Sequence, residues 1–392
     1  MWKKRMLAGL LALAAALSIA LPAAAQEGEQ PARRFAQPDF DVPCRAAMLI
    51  CRQTGEVLYE KNADQQMPIA SITKVMTLML TFDALAAGKV SLQDIVPVST
   101  HAYNMGGSQI WLEPGEQFTL DEMIKAICVA SANDAAVAVA EFIGGSELVF
   151  AGMMNEKAAQ LGMTGTVYKN ACGLDEEGHL STARDVATLS RAMLNTYPQV
   201  TEYTTIWMDS LRGGATQLVN TNKLLQRYSG INGLKTGTTS GAGVCISASA
   251  SRDGLDLIAV VLGANSSAER FDTATALLDY GFANFELAAC PQPQDAPASL
   301  PVERGVSRQV TLQYPQGEGV LVKKGDGAGL SVTLELPQKL TAPIAQGQEI
   351  GRMVLAGQEG QLGSWPVTAG ETVEAISFAS CLEVLYKSLI TL

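Results

Sequence analysis

The chain has 392 residues, with 28 Lys or Arg against 39 Asp or Glu, so its net charge is −11, and 47% of its residues are hydrophobic. This content is sufficient for a sizeable core and indicates about two domains. The acidic balance argues against a nucleic-acid partner, because nucleic acids select basic surfaces. Seven scattered cysteines fit neither a disulfide framework nor a zinc site. We expect most to be buried, with a disulfide between Cys44 and Cys51 as the open alternative.

The N-terminal segment has the pattern of an export signal. The basic stretch MWKKR precedes an apolar run, and small residues ending at Ala25 follow it. We therefore predict a signal peptide over residues 1–25, and a membrane-spanning helix is the weaker alternative because the apolar run is short for a bilayer. Cleavage would leave 25 basic residues against 39 acidic ones, a net charge of −14. The predicted mature protein is exported and acidic.

The first folded elements are a hairpin and a series of helices. The runs AAMLIC and EVLYEKN flank a turn at Gln53-Thr54-Gly55 and predict two paired strands. A long helix is predicted from Ser71 to about Gly88, where a glycine marks its end. Helical spacing returns from Leu120 to Phe142, interrupted by the polar cluster Ser131-Ala132-Asn133.

Strands and helices alternate further along the chain. ARDVATLSRAML predicts another helix. GLKTGTTSGAGVCISASA and LDLIAVVLGA predict two adjacent strands joined at Arg252-Asp253-Gly254. The helix ATALLDYGFANF then closes this region near Leu287.

Composition changes after this helix. The Pro-rich stretch CPQPQDAPASLP predicts a linker, and the alternating runs RQVTLQY, GVLVKKG and LSVTLEL predict a small all-β domain over residues 296–372. Residues 373–392 predict an amphipathic helix, whose apolar stripe consists of Phe378, Leu382, Leu385, Leu389 and Leu392. Three charged residues within this segment favour a helix lying on a membrane surface over one that spans it. A helix packed on its own domain or on a second subunit is the alternative.

Three short motifs suggest chemistry, and each occurs once, in the order Ser71-x-x-Lys74, Ser131-x-Asn133 and Lys235-Thr236-Gly237. Hydrolysis of an amide through a covalent intermediate needs a serine whose proton is taken by a nearby base. Residues three apart lie on one helical face, so Lys74 can reach Ser71. It can act as a base only when neutral, a state that burial and a second cation such as Lys235 both favour.

Each motif also has a reading without chemistry. SITK by itself equally fits a polar first turn with Lys74 extending outward to solvent. Ser131 could cap a helix and Asn133 could form a turn. The three motifs together favour the catalytic interpretation.

This motif set resembles the serine-type D-alanyl-D-alanine carboxypeptidases among the low-molecular-mass penicillin-binding proteins. The stretches YKNACGLDEEGHLSTARD and KTGTTSGAGVCISASA are similar to that family as well. The resemblance implies an α/β catalytic domain of the penicillin-binding protein and β-lactamase type over residues 37–288, with an antiparallel sheet flanked by helices. It also implies the small β-domain and the terminal helix described above.

The resemblance implies removal of the terminal D-alanine from peptidoglycan pentapeptide stems through an acyl-enzyme on Ser71. Ser131 would relay a proton to the leaving amine, and Asn133 would hold Lys74 or the substrate backbone. β-Lactam antibiotics would act as covalent inhibitors, and no metal or organic cofactor is implied. With the export signal and the terminal helix, the expected location is the outer face of the cytoplasmic membrane, on the cell-wall side.

The same resemblance assigns substrate contacts to the strand that begins with Lys235. The substrate would lie antiparallel to this strand, and small Gly237 would let the backbone come close. The amides of Ser71 and Thr238 would form the oxyanion hole. Lys235, Thr236 and Arg270 would face the terminal carboxylate, for which a guanidinium has suitable bidentate geometry. The alternative for Arg270 is a solvated surface charge.

Other functions fit the sequence less well. A Ser-His-Asp hydrolase needs a histidine, and neither His101 nor His179 stands beside a G-x-S-x-G elbow. The sequence has no H-E-x-x-H motif and no clustered Cys and His ligands for a metalloenzyme. A class A β-lactamase usually carries an E-x-x-L-N stretch, which is absent between Asn133 and Lys235. A non-catalytic cell-wall-binding protein would tolerate loss of Ser71 or Lys74, and both are present.

Overall fold

The computed structural model of the chain describes residues 34–291, 293, 295–315, 319–357, 360–379 and 382. The predicted signal peptide lies outside the described residues, as does most of the predicted terminal helix. Helices in the described part are α1 to α8, at Lys74–Ala86, Thr100–Tyr103, Leu120–Val129, Asn133–Gly144, Glu147–Gln160, Ala183–Thr196, Thr201–Thr204 and Ser267–Asn284.

Strands in the described part are numbered β1 to β17. The first ten are Ala46–Cys51, Val57–Lys61, Ile95–Val96, Phe118–Thr119, Met208–Leu211, Thr216–Val219, Ile231–Thr239, Gly243–Arg252, Leu255–Ala264 and Phe285–Ala288. The remaining seven are Ser299–Glu303, Gln309–Gln313, Val320–Lys323, Ser331–Glu335, Leu340–Thr341, Glu349–Gly357 and Gly360–Ala369.

The catalytic region is built on a five-stranded antiparallel sheet in the order β2-β1-β9-β8-β7. The hairpin predicted for the first two strands is confirmed. The stretch from Gly233 to Ala250, predicted as one strand, is instead a hairpin of β7 and β8. The chain reverses through the small residues Ser240 to Ala242, and Gly243 follows with φ +69°. Glycine adopts this left-handed conformation without steric cost, so the second strand can begin there.

The sheet is buried on both faces, which the alternation along β1 illustrates. Ala46, Met48 and Ile50 belong to a core shared with α1, α3, α4 and α6. Ala47, Leu49 and Cys51 belong to a second core, shared with α8. Successive side chains of a strand point to opposite faces, so each face needs its own helical layer.

The helix predicted to open at Ser71 begins slightly later. Ala70–Thr73 forms a 3₁₀ turn, and α1 begins at Lys74. Side chains three apart are eclipsed in a 3₁₀ turn, so the proximity expected for the Ser71 and Lys74 pair does not require an α-helix. The predicted break between two helices at Ser131-Ala132-Asn133 is confirmed, with α3 ending at Val129 and α4 beginning at Asn133.

The C-terminal region is all-β, as its alternating runs predict. Its main sheet has the order β14-β16-β17-β12-β11-β15. Strand β13 pairs instead with β10, which directly follows α8. The segment predicted to be helical from residue 373 begins as extended chain, because Val373 and Ala375 form bridges to Ile344 and Gly305. Backbone hydrogen bonds to the β-region therefore take the place of the first helical turn.

Two further sequence expectations concern cysteines and membrane segments. The six described cysteines are free, so Cys44 and Cys51 do not form the disulfide left open above. In the described ranges, no single helix combines the length and apolar character needed to cross a bilayer. Helices α4 and α5 meet these two criteria only when they are counted together as one segment, and they are bent by 83° relative to each other.

Close packing of α8 on the sheet generates a stability prediction. A Cβ at Gly281 would lie 2.4 Å from Leu257 Cδ1, inside the buried core. We expect Gly281→Ala to destabilise the protein by about 1–3 kcal/mol, because overpacking outweighs the gain in helix propensity. Gly152→Ala, in α5 with open space around it, should stabilise by about 0.5–1 kcal/mol. Urea unfolding measures both, and equal effects would contradict the packing argument.

Candidate active site

Ser71 and Lys74 lie side by side where the 3₁₀ turn meets α1. The Lys74 side chain is fully buried, which contradicts the alternative of a lysine extending to solvent. Its Nζ lies 2.9 Å from Ser71 Oγ, 2.6 Å from Asn133 Oδ1 and 2.8 Å from the carbonyl oxygen of Cys172. Ala70, just before the serine, has φ +50°, a strained value for a residue with a Cβ.

The electrostatics of this cluster make both lysine side chains easier to deprotonate. Burial lowers the pKa of Lys74 to about 8. Burial also lowers the pKa of Lys235 well below its ordinary value, and the positive charge of Lys74 lowers it further. Both effects follow from the cost of holding ammonium groups in a region of low dielectric near one another.

The hydrogen-bond pattern suits a neutral Lys74. An uncharged amine has two N–H donors and one lone pair. Asn133 Oδ1 and the Cys172 carbonyl can only accept, so they take the two donors. Nζ donates to Ser71 Oγ across 2.9 Å. When the amine is neutral, its lone pair can face Ser71 Oγ and accept the serine proton.

The break between α3 and α4 brings Asn133 into contact with Lys74, and Ser131 lies two residues before it. Ser131 is 4% exposed and has φ +61°. The following helix has Ala132 at its N-cap without a side-chain bond, so Ser131 is not its cap. Asn133 is fixed on three sides: its N–H donates to Ser108 O, its Nδ2 donates to Gly106 O, and its Oδ1 accepts from Lys74.

Lys235, Thr236, Gly237 and Thr238 occupy the middle of β7. Lys235 Nζ donates to the Thr236 carbonyl at 3.0 Å, and the Thr236 hydroxyl donates to Thr221 Oγ1 at 2.6 Å. The Thr238 hydroxyl donates to the Gly237 carbonyl at 2.8 Å.

Gly237 has a structural reason in addition to the one expected from the sequence. A Cβ there would lie 2.8 Å from Ile69 O and 2.9 Å from Ser71 N. Rigid backbone atoms at these distances cannot give way, so a larger residue would push the strand from the serine turn. The glycine therefore sets the distance between β7 and the main chain of Ser71.

Arg270 lies in the first turn of α8 and is only 6% exposed, so it is not a solvated surface charge. Its Nη1 donates to Cys245 O at 3.2 Å and to Gly237 O at 3.4 Å, and its Nη2 donates to Ser267 Oγ at 3.1 Å. Its Nε is buried and has no hydrogen-bond partner among the described residues. Burial lowers the pKa of Arg270 to about 10. The guanidinium thus touches the strand that carries Lys235.

Sequence reasoning assigned no role to the loop at residues 170–179, which supports the serine turn. A Cβ at Gly173, which has φ +86°, would lie 2.0 Å from Ala70 O, so only glycine fits. The Lys169 N–H donates to His179 Nδ1, and therefore Nε2–H donates to Thr73 Oγ1 at 2.9 Å. Burial lowers the pKa of His179 to about 4, which keeps this bond in its neutral form.

The same loop reaches the end of β7 through Asp175. One carboxylate oxygen accepts from the Thr239 hydroxyl at 2.6 Å, and the other accepts from Gly241 N at 2.9 Å. These bonds link the loop that supplies the Cys172 carbonyl to the β7–β8 turn. Sequence reasoning also did not identify Thr221, whose hydroxyl accepts from the Thr236 hydroxyl.

The assembled groups can perform acyl transfer to a serine. They supply a nucleophile, a buried amine beside it, and a second cation on a strand that packs against the serine turn. Within the described residues, no group of three or more His, Cys, Asp or Glu side chains is arranged to hold a metal ion.

Two family models match the chain in succession. The model described as D-alanyl-D-alanine carboxypeptidase matches residues 32–266. The model described as the C-terminal domain of penicillin-binding protein 5 matches residues 285–375. D-alanyl-D-alanine carboxypeptidase DacF of Bacillus subtilis (strain 168) is 40% identical over 343 residues, 86% of this chain and 88% of DacF. DacC of Escherichia coli (strain K12) is 35% identical over 346 residues, 86% of each chain.

Solved structures give a consistent result. Penicillin-binding protein 5 from Haemophilus influenzae is similar with a TM-score of 0.77 and 28% identity, covering 86% of this chain and 99% of that chain. Penicillin-binding protein D2 from Listeria monocytogenes, in its ampicillin-bound form, has a TM-score of 0.58 and 33% identity, covering 63% of this chain and all of that one.

The lowered pKa of Lys74 generates a pH prediction. If the neutral amine accepts the serine proton, acylation requires deprotonation of Lys74, whose pKa is about 8. Below that pH, kcat/KM for an activated thioester substrate should fall about tenfold per pH unit, and it should level off above it. Stopped-flow or steady-state rates between about pH 6 and pH 9 measure the profile.

A histidine variant is the control for this profile. The chain has two histidines, and His179 is already neutral throughout this range. His101→Gln removes the other, which lies on the surface against Glu147. The profile should be the same in this variant. A flat profile in the unsubstituted protein would contradict the role of Lys74 as base.

Proposed function

Because the chain belongs to the family of serine-type D-alanyl-D-alanine carboxypeptidases with the penicillin-binding protein 5 fold, we propose that Ser71 is its nucleophile and peptidoglycan pentapeptide stems are its substrate. The observation that carries this proposal is the contact of 2.9 Å between Ser71 Oγ and a buried Lys74 whose other two partners are acceptors. This contact supplies the base that a serine hydroxyl requires.

The proposed reaction has two steps. In the first, Lys74 Nζ takes the proton from Ser71 Oγ, which bonds to the carbonyl carbon of the penultimate D-alanine. The peptide C–N bond breaks as Lys74 passes this proton through Ser131 to the leaving nitrogen, so terminal D-alanine departs and Lys74 is neutral again. In the second step, water gives a proton to Lys74 and its oxygen attacks the ester carbonyl. Lys74 then returns this proton to Ser71 Oγ as the ester C–O bond breaks, which releases the shortened stem and restores Ser71.

The backbone of β7 supports the proposed substrate position. The position of an ideal Cβ on Gly237 is only 2.9 Å from Ser71 N, so this strand runs directly beside the serine amide. A stem peptide lying antiparallel to β7 would bring its scissile carbonyl to the amides of Ser71 and Thr238. Two such donors stabilise the oxyanion that forms when Oγ attacks.

Recognition of the terminal carboxylate is assigned to Lys235, Thr236 and Arg270. Support comes from the Arg270 guanidinium, which reaches Gly237 O on the strand that carries the other two. Its buried Nε has no partner among the described residues, so one donor is left for an anion or a water. Binding of the terminal carboxylate would place the last peptide bond at Ser71, so the product would be one residue shorter.

β-Lactams would acylate the same serine. The Listeria monocytogenes relative was solved in ampicillin-bound and cefotaxime-bound forms. A β-lactam carries a strained amide beside a carboxylate, in the manner of D-alanyl-D-alanine. After ring opening its leaving group stays attached, so it can block the water that would hydrolyse the ester.

Labelling with a fluorescent penicillin tests the nucleophile. Peptide mapping should place the label on Ser71, and Ser71→Ala should abolish both labelling and D-alanine release. Lys74→Ala should reduce both to a similar extent, because nucleophile and base act as one unit. A label on another serine, or D-alanine release that survives Ser71→Ala, would refute the mechanism. Rapid hydrolysis of the adduct without D-alanine release would favour a β-lactamase.

A substrate pair tests the carboxylate contacts. Arg270→Ala should lower kcat/KM for a D-alanyl-D-alanine peptide more than for its C-terminal amide, by about 1.5–3 kcal/mol for lost bonds to a charged group. Arg252→Ala is the matched control, since that arginine packs over the Tyr228 ring at 4.1 Å, at the far end of β8. Equal losses on both substrates in Arg270→Ala would show a structural role only.

We also propose that the protein is exported and held on the outer face of the cytoplasmic membrane by an amphipathic helix after Ile376. The signal-peptide pattern supports export. Phe378 and Leu382, two members of the predicted stripe, are 83% and 52% exposed. Large apolar side chains on one face bury well at the headgroup boundary.

Truncation tests the membrane attachment. Ending the chain at Ile376 keeps the bonds from Val306 N to Glu374 O and from Ile376 N to Arg304 O, so the β-region should stay intact. In cell fractionation, the full chain should sediment with membranes and the truncated chain should not. If both remain in the soluble fraction, the helix packs on protein instead.

A further inference from the structure

Trp111 is a large apolar side chain that the fold leaves in solvent. It is 72% exposed, whereas its neighbours Ile110 and Leu112 are each 1% exposed. Its φ is +58°, a left-handed value that is a clear outlier for a bulky residue. Single exposed apolar residues are common, but they do not usually occupy strained backbone. Burial cannot explain a tryptophan at this position.

The backbone around Trp111 is clamped from two sides. Asp134, fully buried, accepts from Ile110 N at 3.1 Å and from Leu112 N at 3.1 Å. Arg212 donates to Ile110 O at 2.8 Å and to Trp111 O at 2.9 Å. Four main-chain groups around one exposed ring are thus satisfied by two charged side chains. This over-determined backbone holds the outward orientation of the tryptophan.

Arg212 is itself fixed, which makes the clamp rigid. Its Nε and Nη2 form a bidentate pair with Glu116 at 2.7 and 2.6 Å. Its guanidinium lies 4.9 Å from the centre of the Phe118 ring. Bidentate and stacked guanidinium groups lose little further entropy on making their other bonds.

The clamp belongs to a ridge that begins at the active site. We define the Trp111 ridge as loop 106–117 together with the hairpin of β5 and β6, residues 208–219. The loop starts at Gly106 O and Ser108 O, which bind Asn133.

The hairpin of β5 and β6, the second segment of the ridge, is also connected to the proposed site. It ends two residues before Thr221, which binds the hydroxyl of Thr236. Loop 106–117 and the hairpin are therefore both connected to residues of the proposed site. They meet where Arg212 binds the main chain of Trp111.

The length of the stem peptide allows the sugar to which it is attached to reach Trp111. Trp111 is three positions after Ser108, so their Cα atoms are at most about 11 Å apart. Four stem residues between the scissile bond and the sugar span at most about 14 Å when extended. Both lengths are upper limits, and they overlap, so the sugar is within reach of Trp111 while the peptide end is being cleaved.

We propose that Trp111 is a stacking platform for the sugar ring of the glycan strand to which the stem peptide is attached, an inference that rests on the proposed function. The apolar C–H face of a pyranose packs on an aromatic face, whose negative potential attracts the polarised C–H groups. The charge of Glu116 is compensated by Arg212, and the neighbouring exposed Glu113 disfavours an anionic membrane surface as the occupant.

A pair of substrates tests the platform. The unsubstituted protein and Trp111→Ala are compared on a free pentapeptide and on the same peptide carried by a disaccharide. Trp111→Ala should lower the ratio of kcat/KM for the disaccharide substrate over kcat/KM for the free peptide about tenfold, as expected for one lost stacking contact. Trp111→Phe, which keeps a ring, should retain most of the ratio. Leu148→Ala, a matched control at an 81% exposed apolar residue, should leave the ratio unchanged.

Stability provides a second readout. Trp111→Gly removes the ring and relaxes the positive φ, so its Tm should equal or exceed that of the unsubstituted protein while the ratio falls as in Trp111→Ala. A lower Tm together with an unchanged ratio would show that Trp111 supports the fold, and would overturn the proposal.

Other results separate this proposal from its premise. An unchanged ratio in Trp111→Ala, with weaker binding to vesicles of phosphatidylglycerol, would overturn it in favour of a membrane contact. Failure of the unsubstituted protein to release D-alanine from either substrate would overturn the proposed function and this inference together.

Discussion

The structure depends on one buried amine. Lys74 Nζ is surrounded by Ser71 Oγ, Asn133 Oδ1 and the Cys172 carbonyl, all within 2.9 Å. Two of these partners can only accept, so a neutral amine satisfies the cluster by presenting its lone pair to the serine. Burial of the lysine lowers its pKa to about 8, so an unprotonated amine beside the serine hydroxyl forms at a lower pH than for a solvated lysine.

The surrounding fold brings main chain close to this amine. Gly237 and Gly173 lie where a Cβ would meet the backbone of the serine turn at 2.8 Å and 2.0 Å. One glycine sets the distance to β7 and the other sets the distance to the loop that supplies the Cys172 carbonyl. Ala70 between them adopts φ +50°. Strain at such a position persists only when neighbouring contacts over-determine it, and here they approach from two sides.

Sequence reasoning reached the parts of the site that are marked by residue type and spacing. Ser71, Lys74 and Asn133 belong to motifs, and the helix break at Ser131 is visible in the polarity pattern. The Cys172 carbonyl is a main-chain group, which any residue would offer, so nothing in the sequence marks it. The close approach of Gly237 to the serine turn was also not foreseen, because it involves a segment more than 160 residues away. A contact between segments so far apart in the sequence forms only in the tertiary structure.

The same limit explains the differences in the fold. The β7–β8 hairpin was read as one strand because its turn consists of small residues that fit a strand nearly as well. The burial of Arg270 depends on α8 packing against β8, which local charge patterning does not reveal. In contrast, the alternating runs of the β-region report directly on which face of each strand is buried, and they were sufficient.

The pairing of β10 with β13 has a consequence for how the two regions respond to damage. Leu321, on β13, is fully buried within the core that also holds Leu277 and Phe282 of α8. The β-region thus contributes a side chain to the layer that supports the helix carrying Arg270. A substitution that destabilises the β-region is therefore expected to destabilise the packing of α8 on the five-stranded sheet as well. A substitution near Leu321 can therefore disturb α8 and Arg270 without altering any residue of the serine cluster.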